Sequence, residues 1–304
     1  MQKVLYLLTL LLITVYTYAD VSPVVINRLT NNEGLSNSSV NVIYQDSNNL
    51  MWFGTWDGLN LYNSREFKTF KPNPNVPGNI TNNIIRDIIE TTKGRLWITT
   101  DNGINLYTPE AMRFQSFFYD NKENSIFKER SFLICKNSHN KVIASVYNTG
   151  LYYFDEELSD FILIRNLKET SLKKLFFDKD DNLWLFTDNN SLYRVNLDWS
   201  KNKPDIKDIK PVILSQSSHD VFYNLYTNQI WEQNENRHIN IYDVPTETKI
   251  TEIPFSKVIS SIIFEKTGYV IGTANGLFSI QAQNHEITTL IEDIPVFSIY
   301  KGTQ

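Results

Sequence analysis

The chain is poor in the residues that most protein chemistry needs: one cysteine and four histidines in 304 residues. Cys135 has no intrachain disulfide partner, and its setting in Phe132-Leu133-Ile134-Cys135 is that of a buried, inert thiol. His139, His219, His238 and His285 are scattered with no two at ligand spacing. That argues against a histidine-rich metal site, and no metal or cofactor is expected. There is no Gly-x-Ser-x-Gly elbow and no phosphate-binding glycine loop. Basic residues form no dense run, and the formal net charge is −5, which disfavours a nucleic-acid surface. After the first residues, no apolar stretch is long enough to span a membrane.

What the chain has in quantity is aromatic and apolar residues, 13% and 41%, enough to fill a large core. They are arranged periodically. Leu50-Met51-Trp52-Phe53-Gly54-Thr55-Trp56-Asp57-Gly58-Leu59-Asn60-Leu61-Tyr62 is echoed by Leu96-Trp97-Ile98-Thr99-Thr100-Asp101-Asn102-Gly103-Ile104-Asn105-Leu106-Tyr107, 45 residues on. A period in the low forties, built of short apolar runs around Trp and Gly, predicts an all-β propeller of four-stranded antiparallel blades.

The first repeat serves as template. Ser39–Gln45 is an apolar inner strand and Asp46–Asn49 a turn; Leu50–Thr55 and Leu59–Tyr62 flank the tight Trp56-Asp57-Gly58 turn. Arg65–Phe70 is a charged rim strand. The order recurs around Trp97, around Val142–Tyr153, and around Trp184 and Trp231, then ends at Tyr269–Phe278, giving six blades. Trp52, Trp97, Trp184 and Trp231 are expected in the core. Ile294–Tyr300 reads as the inner strand of an incomplete seventh blade, and Val24–Leu29 as its outer strand.

Residues 1–19 follow a different rule. Lys3, an apolar run from Val4 to Val15, and Thr17-Tyr18-Ala19 before Asp20 read as a signal peptide, leaving 20–304 as the propeller domain; the competing reading is an uncleaved membrane anchor, for which the apolar core is short. The domain is then expected in the periplasm.

Gly34-Leu35-Ser36-Asn37-Ser38-Ser39-Val40, followed by the Trp52 to Asn60 motif, resembles the two-component regulator propeller repeat. That resemblance implies the periplasmic sensor region of a Bacteroides-type hybrid two-component histidine kinase. It further implies an oligosaccharide ligand, control of glycan-utilisation genes, and as partners a second propeller and downstream signalling domains. A homodimer is also expected to be within reach. No histidine-phosphorylation motif, ATP-binding glycines or receiver acid cluster is present, so no kinase activity is expected of this chain.

In an up-down-up-down blade, the turn between the second and third strands emerges beside the link to the next blade. Trp56, Asp57, Asp101, Asn102, Tyr147 and Asn148 are therefore candidate ligand contacts on one rim. An aromatic ring beside carboxylates and amides suits a sugar. Tight turns also demand Asp-Gly and Asn-Gly without any ligand, but no turn requires an indole. Two alternatives share this rim: a propeller glycosidase or lyase using Asp57 and Asp101 as paired acids, or a protein-interaction scaffold.

Overall fold

A computed structural model describes residues 28–92, 94–118, 132–167, 170–201, 203–215 and 218–302. Within them the chain forms six four-stranded antiparallel sheets, each paired in chain order, set as the blades of a β-propeller. The first blade is Val40–Gln45, Met51–Thr55, Gly58–Tyr62 and Phe67–Phe70. The other inner strands are Ile85–Glu90, Phe132–Lys136, Leu172–Phe177, Ser218–Asn224 and Ile259–Phe264. Among the described residues the one helix is a 3-10 turn, Asn31–Glu33, and no helix is long and apolar enough to cross a membrane.

The tryptophans sit between blades, as their spacing predicts. Trp52 packs on Phe70 of its own blade and Tyr107 of the next, with centroids 5.9 and 5.1 Å away. Trp97 does the same with Phe117 and Phe154. All four core tryptophans are at most 1% exposed. Burying so much aromatic surface at each joint is the main force assembling the ring.

Polar residues inside the blades fix the turns. Thr55 donates to the Gly58 carbonyl at 2.9 Å, and Thr100 to Gly103 at 3.0 Å. Fully buried Asn60 accepts from the Ser36 amide at 3.0 Å and donates to the Ser36 hydroxyl at 2.8 Å. Asn105 binds Thr81 in the same way. The Ser and Asn of the repeat thus tie the incoming link to the blade, and satisfy groups that would be costly to bury unpaired.

Glycine explains how closely adjacent blades approach. A Cβ on Gly54 would stand 2.5 Å from Ile85 of the next inner strand. At the matching position of blade six, a Cβ on Gly272 would stand 2.9 Å from Val296. Residues 295–301 therefore run where a seventh inner strand would lie. The Val296 amide donates to the Thr273 carbonyl at 2.8 Å, Ile299 N–H to Ser261 Oγ at 3.1 Å, and Tyr300 Oη to the Gln45 carbonyl at 3.3 Å. The expected strand is corrected in one respect: among the described residues this segment enters no ladder, since no second strand pairs with it there. The outer strand Val24–Leu29 and the signal peptide lie outside the described residues, except Arg28 and Leu29, which are irregular. The outer strand of blade six, Ile287–Glu292, is exposed along its whole length.

Candidate functional site

The inner strands open into a cavity of about 1030 Å³ on the axis, lined from blades one to six and by Pro295–Ser298. Five of the six inner strands carry a bulge at their second residue: Asn41, Arg86, Lys173, His219 and Ser260. Bulges re-aim side chains. Here they put Asn41, Arg86, Lys173 and Ser260 on the cavity wall.

Trp56 stands at the rim with 47% of its surface exposed. Its backbone is pinned, since its amide donates to the Ser39 carbonyl at 3.3 Å and the Gly58 amide to Asn83 at 2.7 Å. Arg86 of the next blade lies over the indole, 5.1 Å from the ring centroid. Asp101 grips that guanidinium through two bonds, 2.5 and 3.0 Å. A planar fork on a carboxylate holds Arg86 still, and Arg86 in turn holds one face of Trp56.

The next residue, Asp87, also lines the cavity. Burial pushes its carboxyl up to about 6, against the opposing pull of the Ile88 amide at 2.8 Å. Across the ring Lys174 binds the Asp220 carboxylate at 2.9 Å and the Val221 carbonyl at 2.8 Å, and sits over Phe222.

The sequence-predicted residues separate in space. Trp56 reaches the cavity, and Asp101 reaches its edge through Arg86. Asp57 points outward to Lys71, at 2.6 Å, with both partners exposed. Asn102 caps its own turn, its amide donating to Thr100 Oγ1 at 3.1 Å. Tyr147 is 37% exposed beside Asn148, whose φ of 54° makes it a left-handed turn residue; neither lines the cavity. Asp57 and Asp101, the acids of the glycosidase or lyase alternative, are each bound to a cation, Lys71 and Arg86. Ser138, His139 and Asp181 also meet, but both contacts fall on His139 Nδ1 and Ser138 donates to Asp181. That is a turn lock, not a proton relay, which needs the two imidazole nitrogens separately engaged.

Arg86, Asp87, Lys174 and Asp220 were not among the expected site residues. A signal for them exists: Arg86-Asp87, Lys173-Lys174 and His219-Asp220 interrupt otherwise apolar inner strands at one repeat position.

The architecture defines a β-propeller with an aromatic-rimmed axial cavity of mixed apolar and charged lining. Residues 34–57 and 79–102 match the two component regulator propeller family. Among solved structures, the chain is similar to the extracellular domain assigned to the hybrid two component system BT3049 of B. thetaiotaomicron. The identity is 21% and the TM-score 0.69, covering 92% of this chain and 38% of that one. The extracellular domain of BT4673 from the same organism gives 18% identity and TM-score 0.67, covering 86% and 37%. A chain of a mitotic checkpoint complex gives 12% identity and TM-score 0.61, covering 91% and 90%. At these identities the likeness is one of fold. The chain spans less than two fifths of the length of the two bacterial domains. No curated protein sequence matches it.

Proposed function

We propose that this propeller is an extracytoplasmic sensing module of a hybrid two-component regulator, binding an oligosaccharide at the axial cavity and thereby controlling glycan-utilisation genes. The observation that carries the reading is Trp56, a half-exposed indole at the rim of a large cavity that also presents polar groups, clamped from behind by Arg86. A rigid aromatic face held beside hydroxyls, amides and carboxylates is what stacking against sugar C–H faces requires. The matched repeats, and the likeness in fold to extracellular domains of two component systems, support the signalling half of the reading. Kinase activity would reside in a separate part of the receptor, in the inner membrane, with this domain in the periplasm. A second propeller, the downstream signalling domains and a second copy of the receptor are its partners.

Isothermal titration of the chain against a panel of plant and host oligosaccharides tests the proposal. At least one should bind saturably, with Trp56→Ala weakening it tenfold or more, about the worth of one stacked aromatic. Absence of binding across the panel, or an unchanged affinity in Trp56→Ala, overturns it.

A further inference from the structure

The cavity wall holds an acid with no ion-pair partner of its own among the described residues. Arg86 is paired with Asp101 and Lys174 with Asp220. Lys173 bonds to Asn190 at 2.7 Å and covers Phe186 of its own blade. Asp87 forms no ion pair among the described residues, and accepts one backbone hydrogen bond, from Ile88. The residue facing it across the ladder is Thr99, fully buried, whose Oγ1 has no hydrogen-bond partner. Both residues line the cavity. An uncompensated carboxylate beside an orphaned hydroxyl is costly in a folded protein unless something else completes it.

The position of this pair matters. Asp87 is adjacent in sequence to Arg86, whose guanidinium backs Trp56, so the indole and the open carboxylate belong to one wall of the cavity. A ring stacked on Trp56 therefore has Asp87 within the same compartment. We propose that the cavity selects a glycan bearing a free amine, its ammonium seated on the Asp87 carboxylate and the Thr99 hydroxyl. This rests on the reading that the cavity binds an oligosaccharide, and it names the class. An ammonium supplies the direct partner that the Asp87 carboxylate lacks, and its three donors suit a carboxylate and a hydroxyl together. Burial holds the Asp87 carboxyl high for want of such a partner, which agrees with the same assignment.

Three β-1,4-linked disaccharides differing in the group on C2 make the test: the glucosamine dimer (amine), its di-N-acetyl form (acetamide) and cellobiose (hydroxyl). Titrated at pH 7.5, the amine should bind about tenfold tighter than the hydroxyl sugar, the gain of a charge-assisted over a neutral hydrogen bond. Asp87→Asn, checked for folding by its thermal melt, should reduce that ratio to about one. Equal binding of the three sugars, preference for the acetamide or hydroxyl form, or a preference for the amine that survives Asp87→Asn overturns the amine assignment while leaving glycan sensing intact. Binding of none of these sugars or of the wider panel overturns both.

Discussion

Removing Asp46 tests how a blade turn is held to the core. Its carboxylate accepts from the Trp52 indole at 2.8 Å and from the Asn48 and Leu50 amides at 2.9 and 3.0 Å. Asp178 repeats the arrangement for Trp184 at 2.9 Å. Blade two places Thr91 at the same six-residue spacing, and there the indole nitrogen of Trp97 is buried without a partner. In Asp46→Ala the Trp52 nitrogen, in a side chain 1% exposed, has no water to turn to. That loss costs about 1–3 kcal/mol, and the two turn amides add roughly 0.5–1 each, so the expected destabilisation is about 2–5 kcal/mol. The reverse change, Thr91→Asp, offers Trp97 an acceptor in a turn with the same backbone closure, Thr91 N–H to Arg95 O at 3.1 Å against Asp46 N–H to Leu50 O at 2.9 Å. It should stabilise by about 1 kcal/mol. Urea denaturation followed by tryptophan fluorescence, with circular dichroism as second probe, measures both. If Asp46→Ala shifts stability by less than about 0.5 kcal/mol, or Thr91→Asp destabilises by more than that, the reasoning is refuted.

Gly54→Ala drives a methyl into Ile85 and Val42, 2.5 and 2.6 Å away, and should cost about 1–3 kcal/mol by overpacking, read as a lower melting temperature. Gly272→Ala should instead displace Val296 and raise amide exchange in residues 295–301. Asp87 has its carboxyl raised in the fold, so its ionisation opposes folding above about pH 6 and the penalty fades as pH falls toward its unfolded value. Asp87→Asn should therefore raise the melting temperature at pH 7.5 by the equivalent of about 1–3 kcal/mol, and far less at pH 4; an equal gain at both would contradict the burial argument. Lys71→Ala removes an exposed pair with Asp57, and stability should stay within about 0.5 kcal/mol of the parent; a larger loss would show that this pair is not a solvated one.

The blades were legible because the repeats share apolar strands of four to eight residues, with an Asp-Gly or Asn-Gly turn in three of them and a Trp at a fixed offset in four. The four core tryptophans followed from the same pattern, since a Trp recurring at one strand position in four of the six blades has a joint to fill. Of the expected rim residues, Trp56 was legible for a different reason, that an indole serves no purpose in a tight turn. Asp57 and Asp101 looked alike in sequence, yet one faces outward to Lys71 and the other grips Arg86 of its own blade, which reaches Trp56 across the blade boundary. Strand alternation gives no hint of this, because the bulge at Arg86 alters which way the side chain points.

Sequence by itself therefore determined the repeat, the blade, the number of complete blades and the residues packed between them, because these depend on periodic apolar burial within and between adjacent segments. Only the tertiary structure decided which charges are neutralised and which is left alone. Lys174 finds Asp220, and Arg86 finds Trp56, from blades separated by more than thirty residues of chain or brought together by a bulge. Closing strands into a ring sets those distances, and distance governs whether a buried charge is satisfied.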